Sequence, residues 1–255
     1  MAKGYVYDRA FFDYLERGSR RSAASVVGLV ASALRPASVV DIGCGQGSWI
    51  AEWIKAGVAD CAGVDGDYVD RSRLVMPGGQ FRAHDLGKPF DLGRRFDLVE
   101  SFETAEHIDP ASADMFVANL TRHGDLVLFS AAVPGQGGES HINEQPPDYW
   151  RQKFLAQGYM AYDWLRPRIR SFSEVEPWYR FNTLLFATHE GAARLPPAVQ
   201  AARLPHDAPV PNLASLAWRA RNACLRRLPQ PVVHRLAILK HKARNLASVI
   251  DGEGP

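Results

Sequence analysis

The chain has 255 residues, 46% apolar and 23% charged, which is enough to bury a full core and excludes a disordered, collagen-like or low-complexity protein. The net charge of +2 hides an asymmetry: residues 1–190 carry 20 Lys+Arg against 25 Asp+Glu, whereas residues 191–255 carry 10 against 3. Three cysteines (Cys44, Cys61, Cys224) without Cys-x-x-Cys spacing argue against a disulfide framework or zinc knuckle and for a reducing cytoplasm. No apolar run approaches the roughly 20 residues that span a bilayer, and residues 1–21 show no secretory-signal pattern.

In chain order, Val26, Val27, Val30, Ala33 and Leu34 recur at helical spacing and predict a helix over 19–34, stopped at Arg35 before Pro36. Residues 38–42 read as a buried strand. Residues 47–56 read as a helix carrying Trp49, Ile50, Trp53 and Ile54 and ended by Gly57. Further strands are predicted at 61–65, 81–85, 96–100 and 125–130, with a helix near 111–122. This alternation predicts a parallel sheet with helices on both faces, whose ligands bind beyond the carboxyl ends of the strands. Residues 133–147 form a polar, glycine-rich loop. A helix over 148–157 and late strands near 159–163 and 181–187 follow. Residues 191–212, rich in Ala, Pro and Arg, have a linker's composition, and helices are predicted over 213–228 and from Val232 through Leu236, Leu239, Ala243, Leu246 and Ile250.

The stretch 41–47, Asp-Ile-Gly-Cys-Gly-Gln-Gly, sits between a predicted strand and helix, where glycines permit a sharp turn and helical N–H groups face a ligand. A dinucleotide fingerprint counted from Gly43 would need Gly or Ala at Ser48, and no Gly-Lys-Ser/Thr follows, so neither nucleotide motif is matched. The segment resembles the first motif of class I S-adenosylmethionine-dependent methyltransferases, and the likeness extends over about 37–190. The resemblance implies a Rossmann-like, doubly wound, mostly parallel seven-stranded sheet over residues 1–190. It also implies S-adenosyl-L-methionine as cofactor. Asp41, Gly43, Cys44, Gly45 and Gly47 would surround the methionine part, and Asp65 with Gly66 would grip the ribose hydroxyls. Asp85 with Leu86 would read the adenine, and Glu100 would flank the sulfonium.

After the fourth strand, Glu103 and His107 are four apart and share a face if helical. His107 is the first candidate base and Glu103 its orienting partner. The spacing Glu-x-x-Glu-His also resembles that of ubiquinone-pathway O-methyltransferases and small-RNA 3′-terminal ribose 2′-O-methyltransferases. That likeness implies a divalent ion, Mg²⁺ or Mn²⁺, on Glu103, Glu106, His107 and a later His141. The loop 134–145 suits recognition of a polyhydroxylated acceptor such as a sugar or glycan, with Tyr149, Trp150, Trp178 and Tyr179 as candidate pocket walls. A hydrolase nucleophile is not indicated, because no Gly-x-Ser-x-Gly elbow occurs.

The basic C-terminal extension, 213–255, pairs an apolar stripe with Arg235, Lys240, Lys242 and Arg244. It suits packing against the body or a second subunit, or attachment to an anionic membrane. Nucleic acid ranks below these, since the acidic body would repel phosphates. The expected activity is O-methylation of a hydroxyl on a small molecule or glycan. The alternatives are an N-methyltransferase, an RNA 2′-O-methyltransferase, or a non-catalytic cofactor-binding partner docking through the tail.

Overall fold

The computed structural model describes residues 9–229, 231–233 and 235–239. Its strands are β1 (Ser38–Ile42), β2 (Asp60–Asp65), β3 (Phe81–Ala83), β4 (Leu98–Phe102), β5 (Leu126–Ser130), β6 (Met160–Tyr162) and β7 (Leu184–Ala187). They form one sheet in the order β3-β2-β1-β4-β5-β7-β6. β1 to β5 run parallel, and β7 pairs antiparallel with both β5 and β6. The strand order reverses between β1 and β4, so the loops leaving these two strands open a crevice at the carboxyl edge.

Helices α1 (Arg9–Leu34) and α2 (Ser48–Lys55) cover one face, and α3 (Ala113–Arg122) and α4 (Pro147–Ala156) cover the other. Successive strand residues point to opposite faces. Leu98, Leu128 and Leu185 therefore meet Val26, Val30, Trp49 and Trp53, while Val99, Val127 and Phe186 meet Phe116, Leu120, Trp150 and Phe154. β1, β4 and β5 are buried at every position, as expected of parallel strands covered on both sides. Short helices α5 (Arg166–Ile169) and α6 (Pro177–Asn182) lead into β7.

Two strand boundaries differ from the sequence reading for local reasons. β4 begins at Leu98 rather than 96, because the Asp97 carboxylate accepts hydrogen bonds from the amides of Ala37 (2.7 Å) and Ser38 (3.2 Å). β7 begins at Leu184 rather than 181, because Pro177 opens α6. Residues 191–212, expected as a linker, are packed. Helices α7 (His189–Ala193) and α8 (Pro197–Gln200) are followed by a backbone bond from Leu204 to Ala161 (2.9 Å). Leu195 and Val199 are buried, and Arg151 donates to the carbonyls of Pro205 (3.1 Å) and Ala208 (2.6 Å). Helix α9 (Leu216–Leu225) starts at Ser215, whose hydroxyl accepts from the Trp218 amide. Lys240, Lys242, Ala243, Arg244, Leu246 and Ile250 lie outside the described residues. No helix among the described residues is long and apolar enough to cross a membrane.

The continuation of β4 to Phe102 places Glu100 in mid-strand, opposite Asp41 of β1. Both are buried, and Glu100 accepts from Trp53 Nε1 (2.9 Å). Burial, and then the other carboxylate, pushes the Glu100 carboxyl well up; burial and Asp65 do the same to Asp41. The folded state therefore holds protons that the unfolded chain releases, so this pair contributes stability at low pH that is lost as the pH rises through the raised values. Glu100→Gln, which keeps an acceptor for Trp53, is expected to gain thermal stability relative to wild type as pH rises above the ordinary carboxylate range. Parallel melting profiles for the two proteins would contradict this.

Candidate functional site

The turn from β1 into α2 is built on left-handed glycines. Gly43 has φ +95° and Gly47, which caps α2, has φ +88°, values costly for any residue with a Cβ. A Cβ at Gly43 would overlap the Thr104 side chain, and one at Gly47 would lie 2.5 Å from Met76 Cγ. The loop is thereby pressed between the strands and leaves its outer surface to a ligand.

A cavity of about 1150 Å³ lies on one side of this turn. Asp65, at the end of β2, forms part of its wall. Its Oδ2 accepts from the Gly45 amide (2.7 Å), and its Oδ1 accepts from the Gly66 amide (2.6 Å) and from the Tyr68 hydroxyl. Burial raises the Asp65 carboxyl, opposed by the Tyr68, Gly45 and Gly66 hydrogen bonds. Asp85 and Leu86 line the same cavity. Asp85 is held below the ordinary range by Lys88 (3.1 Å) and the Gly87 amide.

A second cavity, about 380 Å³, lies on the other side and is walled by Trp49, Phe102, Trp178 and Tyr179. Trp49 stacks on Phe102 with centroids 4.0 Å apart, and Tyr179 meets Trp49 edge-on at 5.1 Å. The C-terminal segment supplies its roof through Trp218, Arg221, Leu225, Val233, Leu236 and Ala237. Arg221 ties that roof to the glycine-rich loop by donating to the Gln136 carbonyl (2.8 Å). Gly43, Gly45, Gln46, Glu103 and His107 line both cavities, so the two spaces meet between the glycine turn and the segment after β4.

That segment is not the regular helix that the spacing of Glu103 and His107 suggested. Glu103 adopts φ +51°, and a short 3-10 turn, Ala105–His107, follows. Backbone in this region is costly for a residue with a side chain and occurs where surrounding structure enforces it. Here the Glu103 amide donates to the Ser130 carbonyl (3.0 Å) and its Oε2 accepts from Gln136 Nε2 (2.5 Å). Asn182 donates to Gln136 Oε1 (2.8 Å) and so fixes the amide orientation. Burial raises the Glu103 carboxyl, with Gln136 opposing. Glu103 is therefore not the orienting partner of His107: His107 Nδ1 donates to the Ser140 carbonyl (3.2 Å).

Burial pushes His107 down to about 3, so its imidazole is neutral and presents the Nε2 lone pair. His141 Nδ1 is engaged by Glu144 Oε1 (2.9 Å), leaving Nε2 4.0 Å from Glu106 Oε1. Burial would raise Glu144, but His141 and the amides of Gly135 and Gly137 (each 2.7 Å) hold its carboxylate below the ordinary range. Glu106 is fully buried, and neither of its oxygens accepts a hydrogen bond of normal geometry among the described residues. Burial, and then Glu103, pushes this carboxyl well up. One ligand atom from each of Glu106, His107 and His141 lies within 4.8 Å of the others. Two imidazoles with Nδ1 engaged and a carboxylate with unused oxygens fit a divalent cation. Glu103, expected as a fourth ligand, falls outside this set because Gln136 engages it.

Asp41 and Glu100, expected to touch the cofactor, line neither cavity; they lie in the sheet beneath the turn. Cys44 lines the aromatic cavity, and burial, with Asp65 and Asp41 nearby, raises its thiol well up. Trp178 and Tyr179 reach the site as expected, whereas Trp150 packs against Phe129 (5.4 Å) and Tyr149 packs against Trp150 (5.0 Å). Trp49, Phe102, Gln136, Asn182, Trp218 and Arg221 were not singled out individually by the sequence. For the first two, the available signal was an aromatic at a helix start and at a strand end, both beside the glycine turn.

Residues 14–168 match a family model described as a methyltransferase domain. No curated protein matches the chain in sequence. Among solved structures, Streptomyces venezuelae DesVI is 17% identical with a TM-score of 0.52, the match covering 72% of this chain and 99% of that one. The sugar N-methyltransferase KedS8 from a Streptoalloteichus species is 17% identical with a TM-score of 0.50, covering 74% and 98%. An O-methyltransferase family protein from Burkholderia thailandensis is 17% identical with a TM-score of 0.51, covering 70% and 58%. At these identities the structural likenesses establish the fold, and the family model covers more than half of the chain. The chain belongs to the class I S-adenosylmethionine-dependent methyltransferases.

Proposed function

We propose that this enzyme O-methylates a hydroxyl of a small polyhydroxylated acceptor, a sugar or glycan intermediate. The observation that carries the reading is the meeting of the two cavities at Glu103 and His107. The larger cavity suits the nucleoside: Asp65 accepts from the ribose hydroxyls, Asp85 and Leu86 adjoin the base, and Gly43 and Gly45 admit the methionine part, while Gly47, expected there too, lines neither cavity and faces Met76. The aromatic cavity then holds the acceptor, its rings covering the apolar faces of a sugar while Gln136 and Glu139 meet hydroxyls.

S-adenosylmethionine supplies a methyl group on a sulfonium. The acceptor oxygen forms a bond to that carbon as the carbon–sulfur bond breaks, its electron pair going to sulfur, and the hydroxyl proton must leave. In the ion-free site His107 Nε2 accepts the hydroxyl hydrogen bond and aligns the oxygen. An imidazole held near 3 is a weak proton sink, so Glu103, with its carboxyl raised by burial, is the better final acceptor at the junction. A divalent ion on Glu106, His107 and His141 would take that Nε2 as a ligand and, in place of its hydrogen bond, hold the hydroxyl and lower its pKa as a Lewis acid; the two nitrogen donors favour Mn²⁺ over Mg²⁺.

Dialysis against a chelator is expected to abolish turnover, and Mn²⁺ to restore it. Full activity in chelator would remove the ion and leave His107 and Glu103 to act alone. To test the acceptor class, the enzyme is incubated with methyl-labelled S-adenosylmethionine and fractionated glycans and metabolites. Label is expected in a sugar-containing fraction, and its absence there would contradict the proposal.

A further inference from the structure

The exposed large apolar side chains are concentrated in one place. Leu216, Leu228, Val232, Leu236 and Leu239 are 80%, 40%, 41%, 44% and 62% exposed, and among the residues described from 18 onward only Tyr68 and Ile142 share this property elsewhere. The same stretch, 213–239, contains Arg219, Arg221, Arg226, Arg227 and Arg235 and no acidic residue. Arg219, Arg226, Arg227 and Arg235 are exposed. Val232, Leu236 and Leu239 follow one another at four- and three-residue steps, the spacing of one helical face, and Leu228 lies in the bend just before that helical stretch.

This segment has two uses for its apolar side chains. Val233 and Ala237 line the roof of the aromatic cavity, and Leu236, which also lines it, sits at the rim. Val232 and Leu239 line neither cavity and remain exposed. An outward face of leucines flanked by arginines is the composition that enters a lipid headgroup region, with the apolar side chains passing below the phosphates and the guanidinium groups pairing with them.

We propose that residues 216–239 seat the enzyme on an anionic lipid surface, placing the roof of the acceptor cavity against the membrane so that membrane-borne acceptors can enter beside Leu236. Charge complementarity selects the partner, since a basic, acid-free face is drawn to anionic phospholipid. The leucines separate lipid from nucleic acid: they gain burial among acyl chains and nothing from a phosphate backbone. The inference does not depend on which acceptor atom is methylated.

The test is cosedimentation of the full chain with vesicles of phosphatidylcholine alone and of phosphatidylcholine mixed with phosphatidylglycerol. Retention is expected on the mixed vesicles only. Leu228→Ser with Leu239→Ser is expected to lower the partition coefficient about tenfold or more, and Arg226→Gln or Arg227→Gln about fivefold each. Affinity for S-adenosylmethionine, measured in parallel as the control for folding, is expected to stay unchanged in all of them. No retention on anionic vesicles would overturn the proposal. So would wild-type retention by the double leucine variant, which would leave charge alone as the attraction. A dimer in light scattering that the double variant dissolves, without vesicle binding, would assign the face to a second copy of the chain.

Discussion

Replacing Asp65 by alanine is expected to weaken S-adenosylmethionine binding about 100-fold or more while the fold survives. Hydrogen bonds to a charged acceptor contribute about 1.5–3 kcal/mol each, and the ribose offers two once the Tyr68 hydroxyl gives up its place on the carboxylate, which has about four acceptor sites. Part of this is recovered by water in the emptied site, so a net loss of about 2.7 kcal/mol, equivalent to the hundredfold change, is a reasonable floor. The same carboxylate also accepts from the amides of Gly45 and Gly66, so its removal loosens the glycine turn that faces the methionine part. Asp65→Asn is expected to do nearly as much harm, because its NH₂ group brings a donor where two amides and a hydroxyl already donate. Calorimetric titration with S-adenosylmethionine, beside thermal melting, checks the result; near wild-type affinity in Asp65→Ala would displace the ribose from this position.

His107→Ala is expected to reduce kcat about 100-fold through lost alignment of the acceptor oxygen, with cofactor affinity within about twofold of wild type. The side chain sits where the cavities meet, and its Nδ1 is committed to Ser140, so what the substitution removes is the Nε2 lone pair that faces the acceptor or the ion. Its pH behaviour distinguishes this role from that of an ordinary histidine base. With the imidazole pushed down to about 3, His107 stays neutral throughout the neutral range, so the wild-type rate profile should lack a His107 step near the ordinary imidazole value of about 6.5. A step there that disappears in His107→Ala would show that the residue titrates normally and that the neutral-imidazole account fails. Unchanged kcat would remove His107 from the reaction altogether.

The glycine turn and Asp65 were legible in the sequence because their constraints are local. Left-handed positions at Gly43 and Gly47 and a carboxylate at a strand end leave marks within a few residues. That the first five strands run parallel followed from their alternation with helices. What escaped depended on contacts distant in sequence. Asn182 reaches Glu103 through Gln136, a relay joining three separated segments. Trp218 and Arg221 arrive at the acceptor cavity from beyond residue 212, where composition suggested only a tail.

Other departures came from single residues overriding a pattern. Helical spacing put Glu103 and His107 on one face, but the left-handed backbone at Glu103 broke the period. Glu100 looked like a strand end, but β4 goes on pairing with β5 through Ser101 and Phe102, which leaves Glu100 in mid-strand opposite Asp41. In 191–212, prolines suggested a linker, yet Pro197 opens a helix, the first-turn position where proline is favoured. Of the four residues expected around an ion, Glu106, His107 and His141 lie together, whereas Glu103 turns to Gln136.

The most direct measurement is the position of the transferred methyl group. Product made with isotope-labelled S-adenosylmethionine, purified and examined by carbon NMR, is expected to show a methoxy resonance coupled to a sugar-ring proton. A resonance in the N-methyl range, or label on an acceptor without hydroxyl groups, would contradict hydroxyl activation where Glu103 and His107 meet.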